Sequence, residues 1–367
     1  MNIFKDYKKK LSPSYFHMKM MEKEPKILSF SENADFEKWQ RKLRLKLKEL
    51  IGPIYKDKEK VEIKILEKQE KPGYTIQKIL FPTVSEVINV AYLLVPKKKQ
   101  EKYPAMVCLQ GHSSGAHISI GKAYTKYDRE SIEGDRDFAI QAVKNGFVAL
   151  AIEQRCFGER EEKLLKQKIG NRCWDATMHA LMLGHTLLAE RIADVMRGID
   201  LLYQFPYVDK NKIGCMGNSG GGTVTYYASC LDKRISISIP SCYFCTYEGS
   251  IMKIGHCMDN YIPNALKYFE MADLAGLIAP RNLIIVAGRK DPIFPIKEVK
   301  KAFKKAKEIY KKAGVSKKIK LIVGPEGHRF YADLAWPVIK KQLSVISGRQ
   351  KGSVIASSPK ADDNFVF

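Results

Sequence analysis

Gly217-Asn218-Ser219-Gly220-Gly221 is the stretch that most limits what this chain can fold into. It fits G-x-S-x-G, with a short apolar run before it, Lys212-Ile213-Gly214-Cys215-Met216. A helical pattern follows it through Thr223, Val224, Tyr226, Tyr227, Ala228, Cys230 and Leu231. A strand, a glycine-rich corner and a helix in that order form a nucleophile elbow. Glycines at 217 and 221 remove the side chains that would collide at so sharp a turn. The turn lifts the Ser219 hydroxyl clear of a sheet. It also aims the Gly220 N–H, at a helix N-terminus, toward an oxygen that gains negative charge.

The segments around the elbow alternate in the way such a turn requires. Apolar runs at Ala105 to Leu109, Val148 to Ile152, Ile213 to Met216, Ile235 to Ile239, Leu283 to Ala287 and Ile319 to Val323 read as strands. Helical patterns separate them; the clearest passes through Leu188, Ile192, Val195, Ile199 and Leu202. This predicts a mostly parallel central sheet with helices on both faces. Residues 1–84 read as an N-terminal helical and β extension packed on that core. It has an amphipathic helix from Phe36 to Ile51, stopped by Gly52-Pro53, and strands at Val61 to Leu66 and Tyr74 to Phe81 around Lys71-Pro72-Gly73. Glu86 to Val95 is a further strand. The catalytic domain is expected over 85–346 with an insertion at 241–279, and residues 347–367 as a loosely ordered tail.

In an open parallel sheet, ligands bind beyond the carboxyl ends of the strands. Asp291 follows the strand ending at Ala287, in Gly288-Arg289-Lys290-Asp291-Pro292, and is the candidate acid; Glu326 is its rival. His328 follows the strand ending at Val323, in Gly324-Pro325-Glu326-Gly327-His328, and is the candidate base. The order Ser219, Asp291, His328 suits a hydrolytic triad on such a sheet. Gly111-His112-Ser113-Ser114-Gly115 follows the first parallel strand. The N–H of His112 is the expected second oxyanion donor beside that of Gly220.

The insertion is rich in bulky groups. Tyr243, Phe244 and Met252 are expected to line a small substrate pocket. It also carries Cys242-Tyr243-Phe244-Cys245 and His256-Cys257, a composition that suits structural zinc. Aromatics fill the C-x-x-C gap, and His256 and Cys257 are adjacent and diverge on any regular backbone. The expectation is therefore no metal and no cofactor, with these cysteines as buried thiols; a Cys242–Cys245 disulfide is the alternative.

The 63 Lys and Arg against 40 Asp and Glu give a net charge of +23, which raises polyanion binding. The distribution argues against nucleic acid. Eleven lysines lie between Ile296 and Lys320, where Val299, Phe303, Ala306 and Tyr310 form a buried helical stripe and the lysines its solvated face. No zinc finger or basic-aromatic groove is present. The eight cysteines sit mostly in apolar segments, which suits reduced thiols and a cytoplasmic setting. Neither a secretory leader at Met1 nor a membrane span is expected.

Together Gln110-Gly111-His112, Glu153-Gln154-Arg155-Cys156-Phe157-Gly158-Glu159-Arg160, Gly217 to Gly221, Gly288 to Pro295 and Gly327-His328 resemble an α/β-hydrolase. The branch they resemble is the acetyl xylan esterase-like and dienelactone hydrolase-like one, over about residues 85 to 345. Phe157-Gly158-Glu159-Arg160 and Leu183-Gly184-His185-Thr186 point to its acetyl xylan esterase-like group. Dienelactone hydrolases proper use a cysteine where this chain has Ser219. The resemblance implies a serine esterase acting on short acyl esters, acetyl above all, of a sugar or other small alcohol. The alternatives are a serine peptidase of the prolyl oligopeptidase type, for which the N-terminal portion is too short to form a gating domain, and a non-catalytic binding protein on the same fold.

Overall fold

The computed structural model describes residues 6–98, 100–167 and 173–348. The expected tail therefore lies, apart from Ser347 and Gly348, outside the described residues. Nine strands form one sheet, in the order β1-β2-β3-β5-β4-β6-β7-β8-β9. They are β1 (Lys64–Lys71), β2 (Tyr74–Val84), β3 (Val87–Pro96), β4 (Tyr103–Leu109), β5 (Val148–Ile152), β6 (Val208–Asn218), β7 (Ile235–Ser241), β8 (Asn282–Gly288) and β9 (Ile319–Gly324). The first three strands pair antiparallel with one another, and β3 pairs antiparallel with β5. From β5 to β9 every pairing is parallel.

The two faces of the sheet divide the core by simple alternation. Along β4, Ala105, Val107 and Leu109 enter one apolar cluster, and Met106 and Cys108 enter the other. The Leu187–Gln204 helix lays Leu188, Ile192, Val195 and Ile199 on the first face. Phe138, Ala142, Phe330 and Trp336 cover the second. Strands buried on both sides read as continuous apolar runs, which is why the parallel strands were visible in the sequence.

The extension does not stand apart. Its strands β1 and β2 continue the same sheet, and its Phe36–Ile51 helix buries Trp39, Leu43, Leu47 and Ile51 in the first cluster. Asp35 caps that helix by accepting the Lys38 N–H, and Gly52 closes it at φ 82°. The Trp39 ring lies against Phe30 and donates to the Leu28 carbonyl at 2.9 Å. On its other side is Gly276, where a Cβ would come within 2.4 Å of the ring. The first expected strand is displaced. Val61 is buried but lies outside regular structure, and the strand is the charged stretch Lys64–Lys71, whose backbone pairs with β2.

β4 is the topological pivot. Its neighbour on one side is β5 and on the other β6, so the chain changes winding direction across it. The crevice at a switch point of this kind is where α/β sheets bind ligands.

Trp39→Ala removes a large, fully packed ring, and the expected cost is about 3–5 kcal/mol. Urea unfolding followed by tryptophan fluorescence and by circular dichroism should remain a single coincident transition. Two separated transitions would show that the extension folds independently of the sheet.

Candidate active site

Ser219 stands between β6 and the Gly220–Leu231 helix at φ 56°, in the left-handed region that side chains avoid. Contacts on all sides hold it there. Its N–H donates to the Ser241 carbonyl at 2.9 Å, and its own carbonyl accepts the Thr223 N–H at 2.9 Å. A Cβ on Gly217 would lie 2.5 Å from the Gly221 carbonyl oxygen, and one on Gly221 would lie 2.2 Å from that of Leu109. The glycines let β4, β6 and the helix meet at backbone distance.

His328 and Asp291 meet beyond the ends of β9 and β8. His328 Nδ1 and Asp291 Oδ2 are 2.8 Å apart. The other carboxylate oxygen, Oδ1, accepts the N–H groups of Ile293 and Phe294 at 2.9 and 3.2 Å. Burial works against the Asp291 charge, yet the His328 bond and these two amides outweigh it and hold the carboxyl below its usual range. Phe294 stacks on the His328 ring at 6.0 Å. The link back to the elbow is Cys242, one residue after Ser241, whose Sγ lies within 4.8 Å of both the Asp291 carboxylate and the His328 ring. Burial, then the Asp291 charge, push its thiol up, and it donates to the Arg329 carbonyl at 3.2 Å. Among the described residues the Ser219 hydroxyl makes no hydrogen bond with His328. Glu326, the rival acid, is instead ion-paired with Lys290 at the surface.

The loop after β4 reaches the same corner. A Cβ built on Gly220 would lie 3.0 Å from the His112 ring and 3.8 Å from the His112 backbone nitrogen. The two expected oxyanion donors are thus neighbours. Asp128 braces this loop: it accepts from Ser114, from the N–H groups of Tyr124 and Thr125 at 2.8 and 2.9 Å, and faces His117. Gln110 is tied to Ser119 and Gln154, and Tyr127 donates to the His112 carbonyl. Glu153, just past β5, accepts the Ala116 N–H at 3.0 Å and fills the space beside Gly115 and Gly158.

The pocket expectation needs correction. Tyr243 and Phe244 are fully buried, packed against Tyr226, with Tyr243 also against Phe294. They support the site from inside the core and present no surface to a substrate. Met252 lines a separate apolar groove of about 270 Å³ with His17, Met20, Met21 and Tyr261. The Cys242, Cys245, His256 and Cys257 set is dispersed: Cys245 N–H donates to Met271 Sδ at 3.2 Å, and His256 is hydrogen-bonded to Ser250. Burial lowers the His256 pKa to about 4.

The sequence reading missed a charged layer beneath the site. Asp194 accepts from Arg155 at 3.0 Å and Arg160 at 2.7 Å, and buried Arg191 pairs with Asp259. The signal was present as Arg155 and Arg160 after β5, and as Arg191 and Asp194 inside an otherwise apolar helix face. Their partners lie 34 to 68 residues away, and spacing does not reveal such pairs.

The fold is that of an α/β-hydrolase. The Abhydrolase family model matches residues 8–314, and the chain belongs to that family. Over 293 residues it is 25% identical to the "Putative hydrolase YtaP" of Bacillus subtilis (strain 168), covering 78% of this chain and 92% of that one. Among solved structures it resembles a "putative acetyl xylan esterase" from Bacteroides fragilis NCTC 9343, with a TM-score of 0.75, 18% identity, and coverage of 90% and 95% of the two chains. It also resembles a glucuronoyl esterase from Solibacter usitatus, with a TM-score of 0.62, 14% identity, and coverage of 87% and 97%. Among the described residues no helix is long and apolar enough to cross a membrane.

Burial lifts the Glu153 carboxyl to about 8, so it is mostly protonated at neutral pH. A carboxyl raised in the folded state contributes stability that is complete below its unfolded value, about 4.3, and is lost as pH rises through the folded value. Glu153→Gln should therefore remove the part of the melting-temperature decline that falls between about 4.3 and 8. Thermal melts across that range check this; parallel profiles for the two proteins would refute a buried neutral Glu153.

Proposed function

We propose that this protein is a serine esterase that hydrolyses short-chain acyl esters, acetyl above all, of a sugar or another small alcohol through an acyl-enzyme. The observation that carries the reading is the His328–Asp291 hydrogen bond at 2.8 Å, set beyond β8 and β9 on the same sheet edge as the left-handed Ser219. With the Nδ1 proton donated to Asp291, Nε2 of His328 is left as the base. It takes the Ser219 proton as Oγ attacks the ester carbonyl, and returns it to the departing alcohol. The N–H groups of Gly220 and His112 receive the oxyanion. Water, activated by the same histidine, then releases the acid and restores Ser219. No cofactor enters this chemistry.

The acetyl and sugar parts of the proposal draw on the acetyl xylan esterase named among the structures that share this fold. A cytoplasmic setting follows from reading the cysteines, seven buried and Cys257 half-buried, as reduced thiols.

Ser219→Ala should lower kcat by about three orders of magnitude or more with unchanged folding, because removing one triad member disables the set. A serine-directed phosphonate should label Ser219 alone. On a panel of acyl esters from acetyl to octanoyl on several alcohols, acetyl should be preferred. Undiminished turnover in the variant, or labelling of another serine, would sink the assignment; a preference for octanoyl would sink the acyl specificity.

A further inference from the structure

We infer that His112, Cys173, Cys257 and Asp259 form a zinc site beside the elbow. Their ligand atoms all lie within 4.8 Å of one another. Cys173 Sγ is 3.7 Å from His112 Nε2, and that nitrogen is 3.6 Å from Asp259 Oδ2. Zinc bonds of about 2.0–2.3 Å in a tetrahedron place ligand atoms about 3.3–3.8 Å apart, and the Cys173–His112 and His112–Asp259 spacings already fall in that range. Two thiolates, an imidazole and a carboxylate suit zinc among the common divalent ions. Four protein ligands close the coordination, so this is a structural site.

The surroundings fit the charge. Arg191 is completely buried, pairs with Asp259 and donates to Cys173 Sγ at 3.2 Å. On zinc binding the Cys173 and Cys257 thiols release their protons to solvent. Two thiolates and one carboxylate then balance zinc and the Arg191 guanidinium. Arg191 acts as the outer partner that orients the Asp259 carboxylate. His112 binding through Nε2 leaves its Nδ1 on the side of Gly220.

The site draws on three separate segments: the loop after β4, the residue that opens the Trp174–Met182 helix, and the insertion between β7 and β8. Zinc would tie these together around Ser219. This departs from the expectation of no metal, because spacing within the insertion hid the two ligands that come from outside it. It is independent of the ester-hydrolase reading.

The test is elemental analysis of the full chain purified without an affinity metal or chelator, with cobalt substitution as a second readout. The expected result is one zinc per chain, and a thiolate-to-cobalt charge-transfer band in the cobalt form. Cys173→Ser and Cys257→Ser should each lower zinc content at least tenfold and abolish the band, whereas Cys245→Ser should keep both. Zinc well below stoichiometry that titration with zinc does not raise, a different metal at that ratio, or loss of zinc from folded Cys245→Ser would each overturn the assignment. If the serine variants do not fold, the band's presence or absence in the unmodified chain still decides whether thiolates bind the metal.

Discussion

A side chain held where the backbone favours glycine is the constraint on which this structure depends. A residue at the φ of Ser219 carries strain of order 1–3 kcal/mol, and persists only when its surroundings leave no alternative. Here the surroundings are the Leu109 carbonyl against Gly221, the Gly221 carbonyl against Gly217, and the Ser241 carbonyl accepting the serine N–H. Those contacts join the ends of β4, β6 and β7 to the start of the Gly220–Leu231 helix. The register of three central strands is thereby fixed to within the size of one missing methyl group.

The polar layer follows from the same corner. Strand ends at a crevice leave backbone and side-chain polar groups away from bulk water, and each must be matched. Asp128, Glu153, Asp194 and Asp259 serve this purpose, each receiving donors from a loop or an arginine. Three of the arginines come from two places, the stretch after β5 and the Leu187–Gln204 helix, so the loops around Ser219 are fastened to one rigid helix.

The legibility of the sequence tracks how each feature is encoded. Strands β4, β5, β7 and β8 and the second half of β6 announce themselves because burial on both faces demands unbroken apolar runs. β1 does not: at the edge its backbone pairs while its side chains face water, so the apolar Val61 to Leu66 was the stronger signal and misplaced the strand. Ser219, Asp291 and His328 could be singled out because each lies just beyond a visible strand. Tyr243 and Phe244 looked like a pocket wall because bulk in a loop resembles a lining, and only packing against Tyr226 and Phe294 shows that they are core. Arg191, Asp259 and Cys173 carry no local pattern, since their meaning arises from contacts between distant segments.

β1 has a consequence beyond the fold of one molecule. It lies at the end of the sheet order, so among the described residues its outer row of N–H and C=O groups has no neighbouring strand, and Ile65 and Leu66 are about half exposed on it. An open edge with apolar residues invites strands from other molecules to add on. Lys64, Glu67, Lys68, Glu70 and Lys71 stand along that edge, with Glu70 bridged to Lys68 and Lys97. An incoming strand would have to strip water from these charges. Charges of both signs along this edge thus raise the cost of adding a strand there.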